Sequence, residues 1–329
     1  MTGTTRRELM LAGAAAGLTA ALPAAAQTAT WPNKPVKVVA AFAPGGVADL
    51  MARLMAQQLQ DMLKQPFVVE NRPGAGGIIG TDFVAKAVAD GYTLLLTTSA
   101  AQGVAPVLQP NVPYDPVKDF THIAFLGRGP SVMLANAEAP YKTLKDFVAA
   151  AKKKKDSVNF GSGGQGSLGH LTGELIARTV DVPMTHIAYR GSAPAQVALL
   201  GNEIEIIVDN LSAHAGQIQE GKLRPLGLAA EQRLDSFPDI PTFAEQGYPS
   251  IISAAWFGIT GPAKMPEDLV RRIHAESQKI VAQDSVKARM RELGLVADAS
   301  LTPQQYSDFV GSDNKKWGDI VKAAGIKAQ

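Results

Sequence analysis

Strand-like and helix-like segments alternate along almost the whole of this 329-residue chain, and glycine-rich loops join several of them. The clearest junction joins the apolar stretch Val38–Phe42 to a helical pattern over Leu50–Leu63. A second junction of the same kind joins Val158–Phe160 to a helical pattern that begins at Leu168. Regular alternation is typical of parallel sheets, because each crossover helix returns the chain to the same end of the sheet. The sequence therefore predicts an α/β fold with mostly parallel sheets.

The loops at these two junctions are rich in glycine and directly follow a strand. They read Ala43-Pro44-Gly45-Gly46-Val47-Ala48-Asp49 and Gly161-Ser162-Gly163-Gly164-Gln165-Gly166-Ser167. Each loop presents bare backbone N–H groups beside a helix N-terminus, where the helix dipole is positive, so each loop favours a bound anion. Two such loops in one chain predict two half-sites that face each other across a cleft.

The second loop also fits the dinucleotide fingerprint, because its glycines have the G-x-G-x-x-G spacing from Gly161 onwards. In a dinucleotide site, an acidic residue ends the following strand and binds the ribose. Asp181 instead precedes the following strand. We therefore interpret the loop as an anion site formed by its amides and by the hydroxyls of Ser162 and Ser167. The alternative is a purely structural turn.

Further polar groups lie where other predicted strands and helices meet. Tyr189-Arg190-Gly191-Ser192 combines a ring, a helix N-terminus and a guanidinium that can hold a carboxylate through two hydrogen bonds. The alternative for Arg190 is an exposed arginine on a turn. Asp49 begins a helix and Asp209 ends a strand, and each carboxylate either binds a polar ligand group or only caps a helix.

Catalytic and metal-binding patterns are weak in this chain. Neither Ser162 nor Ser167 lies in the G-x-S-x-G pattern of a nucleophile elbow. His170 and Glu174 lie one helical turn apart, but no second histidine completes a zinc pair, and the five histidines lack ligand spacing. Because there is no cysteine, there is neither a thiol nucleophile nor a disulfide. We predict no catalytic residue, no metal and no cofactor, and an exported hydrolase with a carboxylate pair stays open as an alternative.

The first 26 residues have the pattern of an export leader. Arg6-Arg7 precede a weakly apolar run over Leu9–Leu22, and Ala24-Ala25-Ala26 offers a cleavage site. The paired arginines fit a twin-arginine signal, and an ordinary Sec signal fits nearly as well. The apolar run is too short for a transmembrane helix. We expect a periplasmic protein that is cleaved near Ala26.

The charge pattern and two glycine- or proline-containing stretches bear on partners and on domain organisation. The net charge of +2 and the scattered basic residues predict that no nucleic acid is bound. Gly127-Arg128-Gly129-Pro130 and Tyr248-Pro249-Ser250 resemble crossovers between domains. If both are hinges, residues 128–252 form a second domain inserted into a first domain of residues 31–127 plus 253–329.

Taken together, the motifs resemble those of the periplasmic solute receptors of tripartite tricarboxylate transporters, the Bug receptors. The matching stretches run in the family's order through essentially the whole mature chain. They are Trp31-Pro32-x-Lys34-Pro35-Val36, Phe42-Ala43-Pro44-Gly45-Gly46-x-x-Asp49, Val69-Glu70-Asn71-Arg72-Pro73-Gly74-Ala75-Gly76-Gly77, Asp90-Gly91-Tyr92-Thr93-Leu94-Leu95, Pro113-Tyr114-Asp115-Pro116-x-Lys118-Asp119-Phe120, Tyr189-Arg190-Gly191-Ser192-Ala193-Pro194-Ala195, Asp209-Asn210-Leu211, Gly221-Lys222-Leu223-Arg224, Phe237-Pro238-Asp239-Ile240-Pro241-Thr242 and Trp256-Phe257-Gly258.

The resemblance implies a two-lobed periplasmic-binding-protein fold of type II that closes on its ligand like a flytrap. It implies that the protein binds a small carboxylate and delivers it to the membrane permease subunits of a tripartite transporter. Di- and tricarboxylates, acidic amino acids and aromatic acids such as terephthalate all fit. We expect a monomer. A membrane sensor kinase is a further candidate partner, so a ligand-binding sensor is an alternative function.

The resemblance also implies the site residues. In the first domain, backbone amides and ordered waters hold the ligand carboxylate, and the second domain selects the rest of the ligand. We include His170, which follows the second loop, among the candidates. The predicted ligand-binding residues are Phe42, Ala43, Pro44, Gly45, Gly46, Asp49, Thr98, Ser99, Ala100, Gly161, Ser162, Gly163, Gln165, Gly166, Ser167, His170, Tyr189, Arg190, Gly191, Ser192 and Asp209.

Three stretches depart from the family pattern. Val47-Ala48 replaces a glycine and a hydroxyl residue that many relatives carry, so one side-chain donor is missing. Ala101–Pro106 lacks the asparagine that often precedes this proline, and Ser212-Ala213-His214 replaces a proline-containing run. These departures affect the expected ligand and not the expected fold.

Overall fold

A computed structural model describes residues 31–326. The predicted leader and its cleavage site near Ala26 lie outside these residues. The strands are β1 (Val36–Ala40), β2 (Phe67–Asn71), β3 (Thr93–Thr98), β4 (Phe120–Asn136), β5 (Val158–Ser162), β6 (Met184–Ala188), β7 (Ile206–Asn210), β8 (Leu223–Leu228), β9 (Ala254–Pro262) and β10 (Val296–Ala297). The α-helices are α1 (Val47–Leu63), α2 (Ile78–Ala85), α3 (Ala105–Leu108), α4 (Leu144–Ala151), α5 (Leu168–Val180), α6 (Ser192–Leu200), α7 (Ala215–Gln219), α8 (Glu267–Ala282), α9 (Asp284–Glu292) and α10 (Pro303–Ala324). None of the helices in this part of the chain is both long enough and apolar enough to cross a membrane.

The strands follow the order β2-β1-β3-β9-β4-β7-β5-β6, and β8 and β10 also pair with β4. Strands β1, β2 and β3 run parallel to one another, as do β5, β6 and β7. The 17-residue strand β4 connects the two groups, because its residues 120–130 pair with β9 and its residues 131–135 pair with β7. We refer to residues 128–252 as the central segment and to the rest as the flanking segments.

The prediction of an α/β fold is confirmed, but the prediction of mostly parallel sheets is wrong. Every strand pairing of β4 is antiparallel, and so is the pairing of β3 with β9. The sheet is therefore mixed. The alternation of strands and helices indicated the crossover helices of the two parallel groups, but it did not indicate the direction in which β4 and β9 run.

The stretch Gly127–Pro130 lies inside β4, whereas the sequence suggested a break after a strand. Gly127 and Arg128 pair with β10, and Gly129 and Pro130 pair with the start of β9. Gly127 has a φ of 152°, and a Cβ there would lie 2.3 Å from the Val296 carbonyl oxygen. Glycine thus permits the close approach of β10, and long-range pairing keeps the strand continuous.

Apolar clusters lie on both sides of the sheet in each segment. Met51 and Met55 of α1 and Ile273 of α8 pack against the parallel strands β1 and β3. In the central segment, Phe147, Phe160 and other apolar residues pack around β5 and β7. The long helix α10 begins at an N-cap threonine, with a capping box between Thr302 and Gln305. These clusters hold the two groups of parallel strands in place, and the predicted site residues lie at the ends of those strands.

Candidate functional site

The predicted site residues lie at the carboxyl ends of the two parallel strand groups. Strands β1, β2 and β3 end at Ala40, Asn71 and Thr98, and the glycine-rich loops follow them. Strands β5, β6 and β7 end in the same way next to the loops of the central segment. In open α/β sheets, ligands bind outside the carboxyl ends of the strands. The fold therefore places both sets of loops where this class of protein binds ligands.

Asp49 holds the loop over residues 42–46 through hydrogen bonds to its carboxylate. Its Oδ2 accepts hydrogen bonds from the Gly45 N–H at 2.9 Å and from Arg53 Nε at 3.0 Å, and its Oδ1 accepts one from Asn71 Nδ2 at 2.8 Å. Burial alone would raise the pKa of the Asp49 carboxyl, but the hydrogen bonds from Arg53, Gly45 and Asn71 lower it below its usual value. Because both oxygens are engaged inside the protein, the geometry favours the capping interpretation of this residue.

The loop over residues 42–46 leaves the N-terminus of α1 open, because no side chain caps it. Gly46 is the N-cap residue and has no side chain to cap the helix, and residues 43–46 are exposed. Gly45 has a φ of 86°, in the left-handed region that favours glycine. The amides of the first helical turn and the positive end of the dipole therefore face a position that an anion can occupy.

Residues 98–104 form a second loop beside the first. Thr98 caps a π-helix over Ser99–Val104, because its Oγ1 accepts a hydrogen bond from the Ala101 N–H at 3.3 Å. Thr98 and Ser99 are buried, and Ala100 is exposed. A Cβ on Gly77 would lie 2.9 Å from the ring of Phe42 and 3.2 Å from Cβ of Ala101. The loops after β1, β2 and β3 thus pack as one surface.

In the loop over residues 161–167, the hydroxyls point into the protein. Ser162 is fully buried, and its Oγ lies 2.7 Å from His186 Nε2 and 3.1 Å from Ser167 Oγ. Ser167 is the N-cap of α5, because its Oγ accepts a hydrogen bond from the His170 N–H at 3.2 Å. Gln165 is exposed. The loop therefore exposes Gln165, whereas its two serine hydroxyls are engaged within the protein.

His170 lies beneath the same loop. It is 3% exposed, and its Nδ1 accepts a hydrogen bond from the Gly166 N–H at 3.0 Å. Its ring stacks on that of His186, with ring centroids 3.7 Å apart and an interplanar angle of 10°. Burial lowers the pKa of each ring to about 4, so both are neutral at pH 7. His170 supports the loop and has little surface with which to touch a ligand.

The loop over residues 189–192 joins the 161–167 loop in one surface. The Tyr189 N–H donates to the Ser162 carbonyl and the Gly191 N–H donates to the Gly163 carbonyl, each at 3.2 Å. Arg190 is exposed, and its guanidinium makes no hydrogen bond or ion pair within residues 31–326. It is therefore available to an anionic ligand.

Asp209, next to the last residue of β7, belongs to a chain of buried polar side chains. Its Oδ2 lies 3.3 Å from His214 Nε2, and His214 Nδ1 lies 2.8 Å from Gln196 Oε1 on α6. Its Oδ1 accepts a hydrogen bond from the Asn210 N–H at 2.8 Å. Asp209 is 6% exposed, so most of its surface serves this chain of hydrogen bonds.

The two sets of loops approach each other next to Gly166. A Cβ on Gly166 would lie 2.1 Å from Leu108 Cδ2, and Leu108 belongs to the helix that follows the 98–104 loop. Leu171 of α5 packs with Val104 and Trp317 in one apolar cluster beside this contact. The structure thus brings the 161–167 loop next to the segment after β3.

Two cavities elsewhere between the segments have volumes of about 330 and 430 Å³. Arg128, Glu231 and Asp298 are among the residues that line the first, and Ser212 and Gly294 are among those that line the second. Neither is lined by a predicted site residue. Both lie away from the glycine loops, so they are separate from the candidate site.

Several residues that build the site were absent from the predicted set. They are Arg53, Asn71, Gln196, His186 and His214. Asn71 belongs to a stretch that carries the family resemblance, which was a usable signal. Arg53 lies one helical turn after Asp49, which was also a usable signal. For His186 and Gln196 the signal was missing, because each contacts a residue that only the folded chain brings near.

Comparisons with known proteins agree with this geometry. The family model described as "Tripartite tricarboxylate transporter family receptor" matches residues 51–326. The solved structure of the periplasmic binding protein BugD is 31% identical to this chain, with a TM-score of 0.72, and covers 91% of this chain and 100% of BugD. The fold is therefore that of the periplasmic binding proteins, as the sequence predicted.

Two further solved structures contain carboxylates. The R. palustris protein Rpa4515 with adipate is 31% identical, with a TM-score of 0.75, and the match covers 90% of this chain and 99% of Rpa4515. MatC from Rhodopseudomonas palustris with bound malate is 32% identical, with a TM-score of 0.72, and the match covers 88% of this chain and 100% of MatC. These proteins are similar to this chain over nearly its whole described length.

Proposed function

Because this chain belongs to the tripartite tricarboxylate transporter receptor family, we propose that it binds a small carboxylate between the two loop sets. The observation that supports this most strongly is the open N-terminus of α1, and an exposed guanidinium, that of Arg190, follows the carboxyl end of β6 in the other strand group. A carboxylate favours oriented N–H donors, a positive helix end and a guanidinium. We propose that the protein acts in the periplasm and delivers the ligand to membrane permease subunits.

The two loop sets have different roles in this proposal. The amides of the first turn of α1 and the 98–101 loop hold one carboxylate of the ligand. Tyr189, Arg190 and the backbone of the 161–167 loop contact the rest of it. Asp49, Ser162, His170 and Asp209 stay in the site as residues that shape the loops, because their polar atoms are engaged within the protein.

We propose that residues 31–127 with 253–329 and residues 128–252 form two domains that close on the ligand. The change of partners along β4, from β9 at Pro130 to β7 at Ser131, supports a boundary at this point. The start of β9 at Ala254 supports the second boundary. Bending at these two crossings would change the width of the cleft and would tie closure to ligand binding.

Binding without chemistry is favoured over hydrolysis. Ser162 Oγ and His186 Nε2 are 2.7 Å apart, which is the spacing of a serine nucleophile and its base. Ser162 is fully buried, however, and its Oγ already accepts a hydrogen bond from the Gly164 N–H at 3.2 Å. A substrate carbonyl has no path to this hydroxyl, so we assign the pair to loop structure.

Dicarboxylates are the first ligands to test. Malate and adipate are named in the solved structures of two relatives, and both carry a second carboxylate that Arg190 could bind. Tricarboxylates, acidic amino acids and terephthalate complete the class. The exposed position of Arg190 allows ligands of different length to reach it.

A thermal-shift screen of the mature protein against this class of carboxylates tests the proposal. A ligand at 100 times its Kd should raise Tm by about 5 °C or more. The matched variant Arg190→Ala should keep the Tm of the unliganded protein within about 1 °C, because the side chain is exposed, and should lose most of the ligand-induced shift. If no carboxylate shifts Tm, carboxylate binding is wrong, and if Arg190→Ala binds as tightly as the parent, the role of Arg190 is wrong.

A further inference from the structure

The hydrogen bond between Gly166 and His170 depends on one proton. The Gly166 N–H donates to His170 Nδ1 at 3.0 Å, so this nitrogen must carry a lone pair. The proton of the neutral ring is then on Nε2, which lies 4.0 Å from Glu174 Oε1. If Nδ1 were protonated, its N–H would point at the Gly166 N–H. The hydrogen bond between them, the only one that the Gly166 N–H donates within residues 31–326, would break.

The stacked ring of His186 makes protonation of His170 unfavourable. The His170 and His186 centroids are 3.7 Å apart in nearly parallel planes, so two imidazolium ions there would repel strongly. Phe160 packs against His186 with centroids 5.0 Å apart and adds no compensating charge. Burial lowers the pKa of both rings to about 4, and for His186 the neighbouring His170 lowers it further.

His186 reaches the same loop from the other side. Its Nε2 lies 2.7 Å from Ser162 Oγ, which also accepts a hydrogen bond from the Gly164 N–H at 3.2 Å. Ser162 Oγ lies 3.1 Å from Ser167 Oγ, which caps α5. The two stacked rings are therefore tied to residues at both ends of the 161–167 loop.

The charged groups of α5 next to His170 do not remove this sensitivity. Glu174 is one helical turn from His170, and burial raises the pKa of its carboxyl, although nearby Arg178 lowers it in part. As pH falls, Glu174 therefore takes up a proton earlier than an ordinary glutamate. It then offers less negative charge to an imidazolium.

We infer that His170 and His186 are positioning residues whose neutral, stacked rings hold the 161–167 loop in its binding geometry, and that protonation of the stack releases the loop. This inference rests on the proposed function for the role of the loop. It makes ligand affinity depend on pH in a protein proposed to act in the periplasm. At neutral pH the loop is held, and in acid it is released.

An NMR titration of the ¹⁵N-labelled mature protein tests this without any ligand. At pH 7, a scalar coupling across the hydrogen bond should join the Gly166 amide nitrogen to His170 Nδ1. The coupling should weaken below about pH 5 and be half lost near pH 4, while the amide signals of residues 42–49 stay in place. A coupling that is absent at pH 7, or that persists at pH 3.5 in the folded protein, overturns the inference.

Two variants test whether support of the 161–167 loop depends on the protonation state of His170 or only on the presence of its side chain. His170→Asn places Oδ1 near the position of Nδ1, so it keeps the acceptor but does not titrate, and its Gly166 signal should not move with pH. His186→Gln removes the repelling ring, so the Gly166 transition should move to higher pH. His274→Asn, in which the changed ring lies on α8 and contacts the Ile123 carbonyl, is the matched control and should behave as the parent. A parent-like titration in His170→Asn overturns the inference even if His186→Gln fails to fold.

Binding of malate or adipate gives the functional readout. Between pH 7 and 3.5, the parent should lose about 4-fold more affinity than His170→Asn, because a ring with a pKa of about 4 is mostly protonated at pH 3.5 and the ligand's own protonation acts equally on both proteins. Equal losses would overturn the link between the stack and binding. If neither probe binds at pH 7, the proposed function is in doubt, and the Gly166 titration still decides the loop mechanism.

Discussion

At the scale of single residues, Asp49 shows how an anion site can contain a buried carboxylate. Its charge would repel an anionic ligand if it were uncompensated. Arg53 lies 3.0 Å from each of its oxygens, and the Gly45 amide and Asn71 complete its hydrogen bonds. The negative charge is thereby neutralised locally, and the open amides above it keep their attraction for an anion.

Replacement of Asp49 by alanine should destabilise the protein. The change removes three hydrogen bonds to a charged group and frees the 42–46 loop, so the free energy of unfolding should fall by about 2–4 kcal/mol. Urea denaturation measures this. The control Asp61→Ala removes an exposed carboxylate that contacts Gln57 and should change stability by less than about 0.5 kcal/mol. Equal small losses in both variants would show that Asp49 does not hold the loop.

The sequence predicted the polar residues of the site better than their orientation. The capping interpretation of Asp49 followed from its place at a helix start. Its bond to Asn71 did not, because the two residues are neighbours only when β1 and β2 pair. Likewise, no local signal indicated that the Ser162 hydroxyl turns toward His186 on the adjacent strand.

At the scale of elements, α5 lies unusually close to the sheet. A Cβ on Gly169 would lie 2.2 Å from the Val208 carbonyl oxygen, and one on Gly173 would lie 2.0 Å from the Phe160 ring. These two glycines allow the first turns of α5 to sit on β5 and β7. The 161–167 loop and its supporting His170 are positioned by this contact.

Gly169→Ala should therefore push the start of α5 away from β7. The nearest atom belongs to the backbone and cannot rotate aside, so we expect a loss of about 2–3 kcal/mol in the free energy of unfolding. Gly216→Ala in α7 is the matched control, since no atom lies within 4 Å of its Cβ position. Alanine favours a helix, so this control should be neutral or stabilise by about 0.5–1 kcal/mol. Urea denaturation that shows no difference between the two variants would contradict the close contact.

The extent of helices was easier to predict than the extent of strands. The sequence predicts helices over Glu267–Ala282 and Pro303–Ala324, and α8 and α10 have these bounds in the structure. Each has a clear apolar period and a defined start. For β4 the sequence indicated a strand only before Gly127, because Gly127, Gly129 and Pro130 locally disfavour a continuous strand. Pairing with β9 and β10 outweighs that local preference.

At the scale of the whole molecule, few elements connect the central and flanking segments. Strand β4 crosses from one to the other, β9 begins directly after the second crossing, and a buried group of hydroxyls lies beside both crossings. Ser253 Oγ lies 3.2 Å from Ser131 Oγ and 2.6 Å from Thr172 Oγ1 of α5. The hydroxyls come from three distant parts of the chain, so only the fold could reveal the group. It links the proposed hinge to the helix that carries the 161–167 loop.

The stability of the molecule should fall in mild acid. Burial lowers the pKa of His122, His170 and His186 to about 4 in the folded protein, whereas unfolded histidine titrates near 6.5. Between these pH values the unfolded chain binds more protons than the folded one, so the free energy of unfolding decreases as pH falls from 6.5 toward 4. Urea denaturation should show a loss of at least about 2 kcal/mol between pH 6.5 and 5. A constant free energy of unfolding over this range would contradict burial of neutral rings.

The central claim is that a single carboxylate-bearing ligand contacts both loop sets at once. Hydrogen exchange of the protein alone and with saturating malate or adipate, whichever raises Tm, tests it most directly. We predict slower exchange in residues 42–49 and 98–101 together with residues 161–167 and 189–192. Slower exchange in only one of these sets, or only around the cavities lined by Arg128 and Ser212, would contradict the claim.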